Sequence, residues 1–466
     1  MLLCGRADDP SCPDAVQADD DDAMLGLPAA RGDRPPDDDG DGGGGGGAAP
    51  AAAGSGQRPL SPGWRAGGGG EARGLVLACA DLVHRGDIDG ARRAAEDVLA
   101  GVDPRGDAAD RLAHHFARAL LALRVGDRGG GGGGGGEGAV GVGVGAAPSE
   151  MVPSSVAYLA YIKIAPFLRF AHLTANQAIL EAAADDGAHR RVLHIVDLDA
   201  AHGVQWPPLL QAIANRADPA VGPPEVRLTG AGPDRDVLLR TGDRLRAFAS
   251  SLNLPFRFHP LILPCTAELA ADPTAALELH PDETLAVNCV LFLHKLGSDS
   301  ELAAFLRWVK SMNPAVVTIA EREGTSASAS TGDGSDDVPD ELPRRVAAAM
   351  DYYSSVFDAL EATVAPASAD RLAVEQEILS REIDAAVSGP GSGGGRARGF
   401  NAWASAARTA GLAPRPLSAF AASQARLLLR LHYPSEGYAA EDDGRGACFL
   451  RWQDRQLMSV SSWQPQ

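Results

Sequence analysis

The sequence has few aromatic residues and few basic ones, and both shortages limit what the protein can be. Phe, Trp and Tyr make up 5% of the 466 residues, and 42 Lys and Arg stand against 61 Asp and Glu, which gives a formal net charge of −19. A chain this acidic is a poor generic binder of phosphate backbones, which require clustered Lys and Arg. We therefore expect any contact with DNA to be local or to be made through a partner.

Paired cysteines and long apolar runs are also missing. The six cysteines show no paired spacing, which favours free thiols in a reducing, intracellular compartment (Cys4, Cys12, Cys79, Cys265, Cys289 and Cys448). The longest apolar run, near Leu285 to Leu293, is about half of a membrane span. The first residues lack the apolar core of a signal peptide. No membrane association is expected.

Glycine, by contrast, is abundant, and it marks segments that are not core. Residues 1–70 combine Asp runs with Gly and Ala tracts and hold 12 acids against five arginines. Such a segment buries too little surface to offset its ordering entropy, so we predict a disordered, acidic tail. A solvated tail is the simpler interpretation, and an acidic docking segment is the alternative.

Helical periodicity predicts an all-helical cap over residues 71–190. Apolar residues recur on one helical face at the start of this block, at Leu75, Cys79, Leu82 and Val83. Asp87 and Asp107 are the expected N-caps of a second and a third helix. A glycine-rich insertion occupies residues 129–147, and helices resume from Ser155 through Ala184. The leucines are not spaced as a sustained heptad, so no coiled coil is expected.

From Arg191 to Gln466 the pattern changes to alternating strands and helices. Five near-continuous apolar strands with helical crossovers predict a parallel sheet covered on both faces (Val192–Leu198, Glu225–Thr229, Phe256–Leu263, Thr284–Phe292 and Ala315–Ala320). The helices expected between them are Gln205–Arg216, Asp234–Leu252, Ala267–Leu279 and Glu301–Lys310.

After the fifth strand, the sequence predicts a long helical stretch from Leu342 to Ile383 that breaks near Pro366, and then a helix over Phe400–Ala410. Three C-terminal strands are predicted, of which the last two form a hairpin (Gln424–His432, Ala447–Trp452 and Gln456–Trp463). Parallel strands followed by antiparallel ones are the strand inventory of the AdoMet-dependent methyltransferases. The expected fold is therefore α/β, with a methyltransferase-like, doubly wound, mainly parallel sheet, and this analogy alone does not fix function.

A nucleotide cofactor loop is incomplete after the first predicted strand. Methyltransferases usually place three alternating glycines after an acid, and counted from Asp197 these positions hold Asp199, Ala201 and Gly203. The ribose-binding acid expected after the second strand is replaced by the glycine-rich segment 229–232. Two independent requirements fail, so we expect neither AdoMet nor nicotinamide binding and assign no cofactor.

Four side chains near this loop have the types that bind metals or transfer protons: His194, Asp197, Asp199 and His202. Strand alternation places His194 on the opposite face from Asp197 and Asp199, so the four do not converge. We predict a core histidine, and carboxylates that cap the following helix or accept bonds from loop amides. No catalytic or metal-binding residue is expected, and no nucleophile elbow, Walker loop or zinc motif is present.

Five motifs in order resemble the plant GRAS family over about residues 75–464. The VHIID motif corresponds to Leu193, His194, Ile195, Val196 and Asp197. Upstream, Thr174–Ile179 resembles the family's TANQAI segment, and Val287–Leu296 resembles its second leucine-rich region. The PFYRE region corresponds to Pro314, Tyr352, Tyr353, Phe357, Arg381 and Glu382. The SAW region corresponds to Trp403, Gly411, Leu450, Trp452 and Ser461–Trp463.

The resemblance implies a nuclear transcriptional regulator that binds other transcription factors and other GRAS proteins, with a homodimer as a further candidate. The segments around Asn176 and His202–Pro208 are similar to the Lateral suppressor/Monoculm branch, which implies a role in axillary meristem initiation and shoot branching. Association with promoter DNA is expected through partners. The three SAW-region tryptophans are expected to be core residues.

Two alternatives come from other functional classes. A divergent AdoMet-dependent methyltransferase would use the same sheet, and the glycine-poor loop counts against it. A helical scaffold without a transcriptional role is disfavoured by the α/β pattern after Arg191.

Overall fold

The computed structural model describes residues 68–123, 154–185, 191–200, 202–262, 277–324, 341–389, 398–444 and 446–466. The predicted tail up to residue 67 and the glycine-rich insertion 129–147 lie outside these residues, as does most of the helix expected over Ala267–Leu279. The first helix already begins at Gly68, where the sequence analysis still placed tail.

In the part of the chain that the structure describes, five helices precede the sheet: α1 (Gly68–His84), α2 (Ile88–Gly101), α3 (Ala108–Ala122), α4 (Ser155–Ile164) and α5 (Phe167–Asp185). The predicted caps are confirmed, because the Asp87 carboxylate accepts the Gly90 N–H and the Asp107 carboxylate accepts the Asp110 N–H. Each bond satisfies a backbone donor that has no partner within its helix. These caps fix where α2 and α3 begin.

The strands among the described residues form one nine-stranded sheet: β1 (Val192–Asp197), β2 (Glu225–Gly232), β3 (Phe256–Ile262), β4 (Thr284–Val290), β5 (Val316–Arg322), β6 (Leu412–Arg415), β7 (Tyr438–Asp442), β8 (Ala447–Trp452) and β9 (Arg455–Pro465). Their order is β3-β2-β1-β4-β5-β9-β8-β7, and β6 also pairs with β9. The first five strands are parallel and the last four antiparallel. The predicted methyltransferase-like sheet with antiparallel C-terminal strands is confirmed.

Helices cover both faces of this sheet: α6 (Trp206–Arg216), α7 (Arg235–Ser251), α8 (Asp299–Ser311), α9 (Leu342–Thr363), α10 (Ala369–Val374), α11 (Ser380–Ser388), α12 (Phe400–Thr409) and α13 (Ala419–His432). One apolar core lies between the sheet and α5, α6 and α7, and a second lies under α8 and α12. A π-helical turn, Glu375–Leu379, joins α10 to α11. The predicted break near Pro366 is confirmed by the gap between α9 and α10.

The largest apolar cluster joins helices from two distant parts of the chain. It contains side chains of α1 to α5 together with those of α9 to α11 and α13. The helical layer beside the sheet is therefore built from segments that precede and follow the parallel strands. Among the described residues, no single helix is long and apolar enough to cross a membrane. Helices α4 and α5 are together long and apolar enough for a membrane span by length and composition only, and they are bent by 78° relative to each other.

One predicted strand is wrong. Gln424–His432 belongs to α13, which begins after Ser418, whose hydroxyl accepts the Ala421 N–H. The run of leucines between two arginines has strand character, but alanines at helical spacing, including Ala425, form the buried face. Two short strands, β6 and β7, were missed because each has only four or five residues and little apolar patterning.

Candidate functional site: a crevice at the carboxyl edge of the sheet

A crevice of about 450 Å³ opens where β1, β4 and β5 end. In open α/β sheets ligands bind outside the carboxyl ends of the strands, at the point where the strand order reverses. Here that point lies between β1 and β4. The strands β2 and β3 extend the sheet on one side of β1, and β4 and β5 extend it on the other side. The crevice wall opposite the strand ends comes from α4, α5, α9 and α11.

The residues of β1 alternate between the two faces of the sheet. Leu193 and Ile195 pack in the core under α5 and α6, and Val196 packs in the core under α8. All five residues that match the VHIID motif are buried. Asp197 alone of the five lines the crevice, because it ends the strand.

His194 is a core residue whose ring nitrogens both have partners. Nδ1 lies 3.0 Å from Glu283 Oε2 and Nε2 lies 2.9 Å from the Thr229 hydroxyl. Burial, with a smaller contribution from the Arg227 charge, lowers the pKa of His194 to about 3. The imidazole is therefore neutral. Among the described residues, no group of three or more His, Cys, Asp and Glu side chains is arranged to hold a metal ion.

Asp197 is held by side chains from two other elements. Its Oδ2 accepts the Trp206 indole N–H at 2.9 Å, and its Oδ1 accepts the Asn288 amide N–H at 3.0 Å. Asn288 in turn exchanges hydrogen bonds with Gln205, whose amide also donates to Asn176 Oδ1. Burial raises the pKa of Asp197 to about 7, although the bonds from Asn288 and Trp206 oppose the shift.

Of the two roles expected for the carboxylates at and after the end of β1, capping α6 is not observed and bonding to a loop amide is observed for Asp197. Gln205 occupies the N-cap position and makes no side-chain cap bond. Asp197 accepts the Asp199 backbone N–H, as expected of a bond to the loop, but its other partners are side chains. Asp199 forms an ion pair with Lys295, with Nζ 3.0 Å from Oδ2. The loop is thus closed by the protein's own side chains.

The glycines that remain near this loop serve packing. Gly203 has φ +68°, and a Cβ there would lie 2.5 Å from Thr241 Cγ2. A Cβ on Gly230 would lie 2.9 Å from the Ala200 Cβ and from the Phe258 ring. Both positions therefore exclude larger residues for reasons internal to the fold, without any ligand.

Comparison with known proteins decides the family. The model of the GRAS domain family matches residues 72–464. The chain belongs to the GRAS family. It is 64% identical over 410 residues to Protein MONOCULM 1 of Oryza sativa subsp. japonica, covering 84% of this chain and 88% of that protein. It is 38% identical over 419 residues to Scarecrow-like protein 18 of Arabidopsis thaliana, covering 84% of this chain and 91% of that protein.

A more distant relative matches in sequence, and a solved GRAS structure matches in fold. Protein SCARECROW of Arabidopsis thaliana is 33% identical over 401 residues, and the match covers 84% of this chain but 55% of SCARECROW. The crystal structure of SCL7 in Oryza sativa superimposes with a TM-score of 0.62 at 31% identity, covering 84% of this chain and 99% of SCL7. These relatives identify a plant GRAS protein of transcription regulation and development, in the Lateral suppressor/Monoculm branch.

The PFYRE region of this GRAS protein forms part of the crevice wall. Glu382 on α11 forms an ion pair with Arg322 at the end of β5, and it also accepts the Tyr353 hydroxyl at 3.4 Å. Arg322 donates in addition to the Tyr161 hydroxyl of α4 at 3.2 Å. Arg381 is exposed and lines the crevice. Arg322 was not predicted from the sequence, because the fifth strand was expected to end at Ala320 and β5 extends two residues further.

The SAW region supplies an aromatic cluster under α12. Trp403 and Trp463 are both 1% exposed, with ring centroids 5.9 Å apart in an edge-to-face arrangement. Trp452 packs edge-to-face on Tyr438 at 4.8 Å. Gly411 follows α12 with φ +88°, a left-handed conformation that favours glycine after a helix. Of these residues, only Trp403 lines the crevice.

Proposed function

We propose that this GRAS protein is a non-enzymatic nuclear transcriptional regulator that acts by binding DNA-binding transcription factors and other GRAS proteins. The identity of 64% to MONOCULM 1 supports a role in axillary meristem initiation and shoot branching. The observation that carries the non-enzymatic part is the closed loop after β1. Its carboxylates, Asp197 and Asp199, are held by Trp206, Asn288 and Lys295, where a nucleotide cofactor would need free backbone amides.

The helical cap offers apolar surface for such partners. Large apolar side chains are exposed on three of its helices: Ile88 on α2, Leu121 on α3, and Val156 and Leu159 on α4, of which Val156 is 70% exposed. Exposed apolar side chains are also present on α13, at Phe420 and Leu431, and such side chains are candidates for contact with a partner. We propose the formation of homodimers as a second role of these exposed apolar side chains.

Recruitment through partners is tested by measuring DNA binding with and without them. We expect the purified full chain to bind promoter fragments weakly in a gel shift at physiological salt, because its charge is −19. Adding nuclear extract from shoot apices should produce a supershifted complex. Tethered to a heterologous DNA-binding domain, the chain should alter reporter transcription. Tight, sequence-selective binding by the purified chain alone would contradict the proposal.

A divergent AdoMet-dependent methyltransferase is the second candidate, and the crevice at the carboxyl edge of the sheet is the observation that favours it. Calorimetric titration of the full chain with AdoMet distinguishes the two. We expect no measurable heat of binding, since the glycine-rich loop and the ribose-binding acid are both replaced. A micromolar dissociation constant would favour the enzyme.

A further inference from the structure

The crevice remains large although its cofactor loop is closed. Its volume of about 450 Å³ falls within the roughly 300–1,000 Å³ that small-molecule pockets usually have. Much of its lining is apolar, with side chains from five elements or loops: Leu168, Val204, Val290, Leu291, Leu293 and Ile378. The crevice therefore has the size and the apolar lining of a small-molecule pocket.

Three pairs of ionisable groups that line the crevice lie within ion-pair distance of each other, and Arg381, Arg398, Glu323 and Glu377 line it as well. Lys295 pairs with Asp199 at 3.0 Å, His294 Nδ1 lies 3.1 Å from Glu321, and Arg322 pairs with Glu382. A charged ligand that displaced a partner from one of these pairs would leave a partly buried charge without compensation. The electrostatics of the crevice therefore favour a ligand without net charge.

Two polar side chains of the crevice have no such partner. Tyr158 on α4 and His172 on α5 both line the cavity, and among the described residues neither makes a hydrogen bond. Burial, with the nearby Asp199 and Asp197 charges, raises the pKa of Tyr158, so its hydroxyl keeps its proton and can donate. Burial lowers the pKa of His172 to about 4, so its neutral ring offers one donor and one acceptor.

We propose that this crevice binds an uncharged, mainly apolar small molecule whose carbonyl or hydroxyl oxygen bonds to Tyr158 and His172. The apolar lining supplies the contact area, and the two unpaired polar groups orient the ligand. The site lies between the sheet and the helical layer, because Tyr158 belongs to α4 and also packs on His202 of the β1 loop, with ring centroids 5.3 Å apart. Occupation would therefore bridge the helical layer and the sheet.

The test uses an uncharged fluorescent probe with a carbonyl group, propionyl-dimethylamino-naphthalene, titrated into the full-length protein. Saturable binding with a blue-shifted emission is expected. Ala385→Phe places a ring in the crevice from α11 and should weaken binding at least about tenfold. Ala402→Phe makes the same change at an exposed site on α12 and should leave binding unchanged. Thermal unfolding of both variants checks that each is folded.

A second variant removes only the proposed hydrogen bond. Tyr158→Phe keeps the ring and should weaken the probe about two- to tenfold, the range for one neutral hydrogen bond. Anilinonaphthalene sulfonate, an anionic compound of similar size, should not displace the carbonyl probe. The proposal is overturned if binding is not saturable, if neither Ala385→Phe nor Tyr158→Phe weakens it, or if the sulfonate competes equally. Reporter and gel-shift results do not enter this test, so it is independent of the proposed regulatory function.

Discussion

The end of β1 and the tryptophan cluster of the SAW region are both buried, but different interactions hold them together. At β1 each polar atom is matched, since Asp197 accepts from Trp206 and Asn288 and both nitrogens of His194 have partners. In the SAW region, the buried indole nitrogens of Trp403 and Trp452 have no hydrogen-bond partner among the described residues.

The two kinds of interaction have different effects: hydrogen bonds orient the side chains at the end of β1, and aromatic packing stabilises the SAW region. Hydrogen bonds to a buried carboxylate are directional, so the β1 network fixes the shape of the loop beside the crevice. Edge-to-face aromatic packing and area burial stabilise the SAW region even where an N–H stays unpaired. We expect the aromatic region to be the more costly one to empty and the β1 region to be the more sensitive to changes in hydrogen bonding and pH.

The largest effect is expected from Trp463→Ala. Trp463 is 1% exposed, pairs through β9 with both β5 and β6, and contacts Trp403. Emptying such a site should lower the free energy of unfolding by about 3–5 kcal/mol, as measured by denaturant titration. Should the variant unfold like wild type while losing only partner binding, Trp463 is a surface contact and the comparison fails.

The sequence was sufficient to predict the parallel strands. The central strands β1, β4 and β5 are mainly apolar runs buried on both faces, whereas the edge strand β3 is partly exposed. β1 was predicted over Val192–Leu198 and observed over Val192–Asp197, and β4 ends two residues before its predicted end at Phe292. The C-terminal hairpin was also predicted, with its turn at Gln453. The α13 segment was not, since short runs of leucine fit a strand and a helix equally well and only tertiary packing distinguishes them.

The candidate site was predictable only in part. Strand alternation correctly separated His194 from Asp197, because the two-residue period needs no tertiary information. The partners of Asp197 were not predictable, since Asn288 lies 91 positions away in sequence and meets β1 through the register of β4. The same holds for Arg322 and Glu382, whose pairing depends on how α11 packs beside β5.

The second prediction concerns the pH dependence of stability, which should differ between the two regions. The pKa of Asp197 rises from 3.8 to about 7 on folding, so its contribution to stability is fully present below pH 4 and is lost as the pH rises to about 7. Asp197→Asn should remove this fall, so the difference in unfolding free energy between wild type and variant should change as the pH rises from 4 to 7. Asp454→Asn, at an exposed hairpin position, should leave the profile unchanged. Parallel profiles for wild type and Asp197→Asn would show that the Asp197 pKa is not raised.

A smaller loss is expected when the hydrogen bond to Asp197 is deleted without emptying the core. Trp206→Phe keeps an aromatic ring but leaves one carboxylate oxygen without its 2.9 Å donor, which should cost about 2–3 kcal/mol. Trp403→Phe is the matched control, because Trp403 is 1% exposed like Trp206 and its Nε1 has no hydrogen-bond partner among the described residues. If both variants lose the same stability, the ring rather than the hydrogen bond accounts for the effect.

The smallest effect is expected from the corresponding deletion in the SAW region. The Trp463 indole donates to the Ser461 hydroxyl at 3.0 Å, so Ser461→Ala leaves that N–H unpaired in an otherwise apolar cluster. The neighbouring Trp403 already tolerates an unpaired indole nitrogen, and the acceptor here is a neutral hydroxyl rather than a carboxylate. The expected loss is about 1 kcal/mol, smaller than that of Trp206→Phe. The measurement is again denaturant unfolding, with both variants compared at one pH. If Ser461→Ala costs as much as Trp206→Phe, the SAW region depends on hydrogen bonding as strongly as the end of β1 does, and the distinction between the two regions is wrong.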